Sequence, residues 1–196
     1  MKSGYERSMD RPSSEQIDRE VRRRVLAAEV RRSLFIALRT LIVFAAAAVL
    51  LAILLFPTIQ VQRGSMSPTL YDGEYLILIT VGKIKRGDIV AFHLGNQTLL
   101  KRVIATSGEL INIEADGTVY VNSELLDEPY LQNRSFGECD IEFPFQVQDN
   151  QFFVMGDNRA ASLDSRFVDF GTVHQGDIIG KTILRIWPLT RIGLVN

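Results

Sequence analysis

A serine and a lysine are the residues from which the chemistry of this chain can be built. Ser65 stands in Arg63-Gly64-Ser65-Met66-Ser67-Pro68-Thr69-Leu70. The preceding glycine lets the backbone approach a bound chain closely, and Pro68 with Asp72-Gly73 fixes how the loop departs. A seryl hydroxyl attacks a carbonyl only when a base accepts its proton. Histidine, the usual base, is poorly supplied: His93 falls in an apolar strand pattern and His174 in an expected turn, so a Ser-His-Asp triad is possible but unsupported. Lys101 is the other base. It follows Thr98-Leu99-Leu100 and precedes Val103-Ile104, and period-two alternation puts it on the face of Leu99 and Val103. The reference pKa of lysine is about 10.4, so burial must lower it by about three units before the amine is substantially neutral at pH 7. The alternative is a lysine that snorkels from a sheet edge.

A third polar segment runs Met155-Gly156-Asp157-Asn158-Arg159 and then Ser162-Leu163-Asp164-Ser165-Arg166. Hydroxyls, carboxylates and guanidinium groups at this density can orient a buried amine and brace a site. The alternative is an exposed turn rich in Asx residues.

These residues need elements to hold them. Residues 41–56 contain no polar side chain, and the stretch 41–59 is about 30 Å long as a helix, enough to span a bilayer once. Residues 1–40 carry ten Lys or Arg against six Asp or Glu, which by the positive-inside rule keeps the N-terminus cytoplasmic. A cleavable secretory leader would be shorter and would end in a small-x-small pair; the reading is a permanent anchor. Ser13 and Gln16 form a capping box for a helix with Ile17, Val21 and Val25 on one face, either a juxtamembrane amphipathic helix or a solvated charged one.

Beyond residue 60 the pattern changes to short β-branched and aromatic runs, predicting strands over 75–80, 89–93, 99–104, 118–121, 151–155 and 181–187. Asp72-Gly73, Gly87-Asp88, Gly95-Asn96, Ser107-Gly108, Asp116-Gly117 and Gly156-Asp157 separate the apolar runs, Asp116-Gly117 being the best hairpin turn. The fold class is mainly β: an antiparallel β domain with a small β excursion over 109–150, tethered to one N-terminal transmembrane helix. Residues 60–196 hold twelve basic and seventeen acidic groups, with no basic stripe for nucleic acid. The single Cys139 excludes an intrachain disulfide, and one cysteine with two histidines makes a structural zinc site improbable.

Taken in order, the apolar anchor, Ser65-Met66-Ser67-Pro68-Thr69-Leu70, Arg86-Gly87-Asp88-Ile89-Val90-Ala91-Phe92, Lys101-Arg102-Val103-Ile104 and Gly156-Asp157-Asn158-Arg159 through Ser162, Asp164, Ser165 and Arg166 resemble the type I signal peptidases, the Ser-Lys proteases of protein export. The resemblance implies that Ser65 attacks the scissile carbonyl and that neutral Lys101 moves the proton. It also implies that Ser162 hydrogen-bonds the amine and that Asp164 and Arg166 pair to hold the loop. It implies exported pre-proteins as substrates, cut after small-x-small motifs, with Met66, Leu70 and Leu100 walling the pockets. No cofactor or metal is needed. The partners it implies are the pre-proteins, the lipid bilayer and the nearby secretion translocon.

The implied organisation is a cytoplasmic basic segment (1–40), a transmembrane helix (41–59) and an extracytoplasmic peptidase domain (60–196) on a bacterial plasma membrane. The Ser65 N–H would be one oxyanion donor, while Arg63 stands where many members carry Ser or Gly. Ser107, Ala160-Ala161 and two extra residues near Val168-Asp169 also depart from the pattern. Two other readings share these residues. A self-cleaving Ser-Lys repressor would lack the anchor, and a non-catalytic relative that assembles surface structures would have lost Ser65 or Lys101.

Overall fold

The computed structural model describes residues 14–195. Helix α1 (Ser14–Leu55) is unbroken; it contains neither Gly nor Pro, the residues that interrupt helices most strongly. Glu15–Arg19 and Glu20–Arg24 pair one turn apart at 3.7 and 3.2 Å, with the acid N-terminal, the favoured order. Its apolar part is long enough and apolar enough to cross a membrane. The helix ends at Leu55, short of the expected limit at residue 59. Pro57 has no N–H to donate and disfavours helical backbone at Phe56, so Thr58–Gln60 forms strand β1 instead. The expected juxtamembrane helix forms as the N-terminal part of the continuous α1, with Val21 and Val25 half exposed. Ser13 of its capping box, and the side chains of Gln16 and Ile17, lie outside what the structure describes.

The chain divides between Leu51 and Ala52 into two compact units, and the second contains every described strand. These are β1, β2 (Tyr75–Ile79), β3 (Ile89–Leu94), β4 (Gln97–Ala105), β5 (Leu110–Ile113), β6 (Val119–Val121), β7 (Glu124–Leu125), β8 (Phe145–Gln146), β9 (Gln151–Met155), β10 (Val173–His174), β11 (Ile178–Trp187) and β12 (Gly193–Leu194). The main sheet runs β1-β2-β11-β3-β4-β9-β10, with β12 on β11, and a smaller sheet runs β7-β6-β5-β8. Every pairing is antiparallel. All six expected strands form, and the expected excursion is the smaller sheet with its flanking loops.

Local chemistry sets the register around Lys101. Gly95-Asn96 joins β3 to β4 as a two-residue hairpin, Gly95 having the positive φ of 57° such a turn needs. That turn places Val90 opposite Lys101 and Ile89 opposite Arg102. The sheet is covered on both sides there: Ala91 packs with Val61, Met66 and Leu70, whereas Val90 and Phe92 pack with Val103, Val154 and Phe170. The smaller sheet closes on β4 and β9 through Ile104, Phe153, Met155, Ile111 and Val121.

Candidate active site

The Ser65 loop is pinned at both ends. Its arms are tied by the Val61 N–H donating to the Glu74 carbonyl at 2.8 Å and the Gly73 N–H to the Val61 carbonyl at 3.0 Å. Inside, Met66 and Leu70 face the core, and the Leu70 N–H donates to the Met66 carbonyl at 2.8 Å in one helical turn. Burial of these two apolar side chains turns Ser65 outward. Its carbonyl accepts the Asn158 N–H at 3.0 Å, and the Gly64 carbonyl accepts the Asn158 side-chain amide at 3.4 Å. The segment 156–166 is therefore joined directly to the serine loop.

Lys101 is 3 % exposed, between Leu99 and Val103, which both join the cluster on its side of the sheet. Its Nζ donates to the Ser162 Oγ at 2.7 Å. Burial, which penalises the ammonium, is the main influence on its pKa, followed by Asp164, which raises it, Arg166, which lowers it, and Asp157, which raises it; together they bring it down to about 8. The edge-strand alternative fails because β4 lies inside the sheet between β3 and β9.

Ser162 is held through a fully buried ion pair. Arg166 donates from Nε and Nη2 to the two Asp164 carboxylate oxygens at 2.8 and 2.9 Å, and from Nη2 to the Ser162 carbonyl at 3.2 Å. The same carboxylate accepts the Gly156 N–H at 3.0 Å. Gly156 is a tight point: a Cβ there would lie 2.5 Å from the Ser65 carbonyl oxygen and 2.6 Å from the Ser162 Cβ. Gly156→Ala is accordingly expected to push Ser65 and Ser162 apart and lower kcat by about two orders of magnitude, the scale of a 1 Å misplacement. Steady-state kinetics on a folded variant checks this, and wild-type kcat would contradict it.

Ser65 and Lys101 line one cavity of about 1060 Å3. Its apolar walls are Ile59, Leu94, Leu99, Leu100, Leu163 and Phe170. Of the three expected pocket residues only Leu100 is among them. Met66 and Leu70, 1 % and 0 % exposed, belong to the core, because the helical turn after Ser65 directs them inward. Neither His93 nor His174 lines the cavity; both are exposed, beside Thr98 and Gln151 respectively. Cys139 is half-buried, its thiol 3.5 Å from the Ile141 carbonyl.

Arg63 has a left-handed backbone, φ 62°. Its N–H donates to Asp72 Oδ1 at 3.0 Å, and its guanidinium reaches Gln97 Oε1 at 3.2 Å across the cavity lining. This curl makes the Ser65 N–H donate to the Arg63 carbonyl, so the expected oxyanion donor is engaged within its own loop. Sequence reasoning gave no separate role to Arg102 and Asp157. Arg102 is 2 % exposed and forks onto Asp157 at 2.9 and 2.7 Å, and Asp157 Oδ2 also accepts the Thr69 hydroxyl at 2.5 Å. A charged residue adjoining Lys101 in an apolar strand was the signal available.

Residues 34–187 match the family model described as signal peptidase, peptidase S26. A signal peptidase I of Streptococcus pneumoniae serotype 4 is 33 % identical over 180 residues, covering 72 % of this chain and 87 % of that protein. A signal peptidase I of Bacillus licheniformis is 34 % identical over 175 residues, covering 83 % and 93 %. The crystal structure of a signal peptidase I from Enterococcus faecalis V583 shares 32 % identity with a TM-score of 0.45, covering 52 % of this chain and 97 % of that one.

Proposed function

This chain belongs to the signal peptidase family, peptidase S26, and from that premise we propose that it removes signal peptides from exported pre-proteins with Ser65 as nucleophile and Lys101 as general base. The observation that carries the reading is the 2.7 Å contact from the buried Lys101 Nζ to the Ser162 Oγ, on a cavity that Ser65 shares. Ser162, which Arg166 holds by its carbonyl, orients the amine. Neutral Lys101 takes the Ser65 proton as Oγ bonds to the scissile carbonyl, then returns it to the leaving amine. Water repeats the cycle on the acyl-enzyme. No metal or cofactor enters.

Substrates present small residues at the first and third positions before the cut, which suits shallow walls such as Leu99, Leu100 and Ile59. The apolar C-terminal part of α1, ending at Leu55, crosses the plasma membrane with the basic N-terminal segment in the cytoplasm and the β domain outside, close to the translocon that delivers pre-proteins. The apolar helix and the arginines before it support this orientation.

The test uses detergent-solubilised full-length protein and a pre-protein with an Ala-x-Ala site, with the new N-terminus identified. Cleavage after the second alanine by wild type but not Ser65→Ala is the expected result; no cleavage by folded wild type across several substrates would favour the non-catalytic reading. The pH profile follows from the lysine. Only the neutral amine is a base, and its pKa is about 8, so kcat/KM rises with pH about tenfold per unit below that value and levels off above it. A flat profile from pH 6 to 9 would remove Lys101 from the role of base.

A further inference from the structure

Glu128-Pro129-Tyr130 leaves the smaller sheet just after β7, yet both side chains turn back toward the site. Glu128 is 7 % exposed. It accepts hydrogen bonds from both terminal nitrogens of Arg159, the Nη1 contact measuring 3.4 Å, and from the Tyr130 hydroxyl at 2.8 Å. Arg159 passes the restraint on, donating from Nε to the Gly156 carbonyl at 3.1 Å. Gly156 is the residue squeezed between the Ser65 backbone and Ser162. The Tyr130 ring lies under the Arg102 guanidinium, 3.8 Å from its carbon to the ring centroid. Arg102 follows Lys101 on β4 and grips Asp157, while its Nη1 donates to the Gly87 carbonyl at 2.8 Å. Two arginines flanking the site thus end on one short segment of the excursion.

Physically this is a clamp. A guanidinium stacked on an aromatic face and bonded at its edges has one orientation, and a buried carboxylate fixes a second guanidinium in the same way. Together they leave Arg102, Asp157 and Gly156 little freedom, and Lys101 and Ser162 are the neighbours of those groups. Surface packing of the excursion would need neither a sealed charge pair nor a stacked cation.

We propose that Glu128 and Tyr130 are positioning residues for the catalytic amine, acting through Arg159 on Gly156 and through Arg102 on Lys101 and Asp157. This rests on the Ser65–Lys101 reading above. The pair touches no reacting atom; it sets where the lysine and its hydroxyl partner stand and how much of the Asp157 charge reaches Nζ. Asp157, Asp164 and Arg166 are the charged groups that act on Lys101. With Arg102 loosened, Asp157 is less neutralised and holds the proton on Lys101 more strongly, so the rising limb of the pH profile moves to higher pH.

The experiment compares full-length wild type with Tyr130→Leu, Tyr130→Phe, Glu128→Gln and Lys101→Met, measuring kcat, KM, the kcat/KM pH profile and thermal unfolding. Tyr130→Leu and Glu128→Gln are expected to lower kcat about 10–100-fold, the scale of sub-ångström to 1 Å displacements, with KM within about twofold of wild type. Tyr130→Leu also shifts the pH profile alkaline. Tyr130→Phe keeps the ring under Arg102 and is expected to retain the wild-type profile with kcat within about threefold. Glu128→Gln preserves volume, so it decides the matter if Tyr130→Leu does not fold. Wild-type kcat and profile in folded Glu128→Gln, or a rise in KM with kcat unchanged, would overturn the proposal. Activity surviving in Lys101→Met would instead overturn the dyad reading, whatever the other variants do.

Discussion

Lys101→Met is expected to abolish cleavage and at the same time raise the melting temperature at pH 7. The amine is in a site that disfavours its charge: its pKa falls from 10.5 to about 8, chiefly through burial. A lysine whose folded pKa lies below its unfolded value destabilises the fold wherever the unfolded chain binds the extra proton. The penalty is complete below pH 8, on the order of 3 kcal/mol at 1.36 kcal/mol per unit, and disappears as pH rises through 10.5. Methionine has similar length and no charge to desolvate. The substitution forfeits the hydrogen bond to Ser162, about 1 kcal/mol, leaving a net gain of about 1–2 kcal/mol. For a domain of this size that is roughly 3–6 °C.

Loss of the proposed general base is expected to remove about 10²–10⁴ in kcat. Thermal unfolding at pH 7 and pH 10 with parallel cleavage assays checks both halves. The stability difference must shrink at the higher pH, where wild type sheds its penalty. A variant that melts well below wild type at pH 7 would show that Lys101 is structural and carries its charge without strain. Stability given up at a functional residue in this way is a common trade.

Arg166→Met is expected to have the opposite sign. Arg166 and Asp164 are both fully buried, and the guanidinium meets the carboxylate at 2.8 Å. Deleting the guanidinium leaves Asp164 with backbone donors only, the Gly156 and Arg166 N–H groups, a loss of about 3–5 kcal/mol for a broken buried pair, or roughly 10 °C. The Ser162 carbonyl loses its donor in the same step, so kcat falls with stability. The double variant Asp164→Asn/Arg166→Met removes the stranded charge and should recover most of the melting temperature without recovering kcat. Melting curves and kinetics of both variants distinguish the two effects: a single variant that melts like wild type would mean the pair contributes little, and a double variant that regained activity would mean Ser162 needs no support from Arg166.

Short and long signals in the chain differed in how far they could be read. Ser65, Lys101, Ser162, Asp164 and Arg166 stand in runs whose residue types and order are themselves informative, and the structure brings Lys101 to Ser162 and Asp164 to Arg166. Strands β2, β3, β4, β6, β9 and β11 announced themselves because each has β-branched or aromatic residues, bounded by turn residues, that show a pattern, whereas the four-residue β5 lay inside the stretch read only as an excursion. Strands β7, β8, β10 and β12 have two residues each, too few for any period to appear. Strand β1 was absorbed into the anchor because Thr58-Ile59 continues an apolar run; only Pro57 marked the end of the helix.

The inventory and the class were therefore legible in the chain alone: an apolar helix, an antiparallel β domain, and a serine, a lysine and a bracing loop in a fixed order. These follow from local propensity, turn chemistry and composition, which act over a few residues. The tertiary structure decided which side chains face the cavity and which face the core. It sent Met66 and Leu70 inward while leaving Leu100 on the wall, because a single helical turn rotates each residue by about 100° and only the surrounding packing says which direction is inside. It also decided that Glu128 and Tyr130, some thirty residues from either arginine they hold, complete the setting of the site. Long-range pairing of buried charges depends on how the sheets close on one another, and no local pattern encodes that.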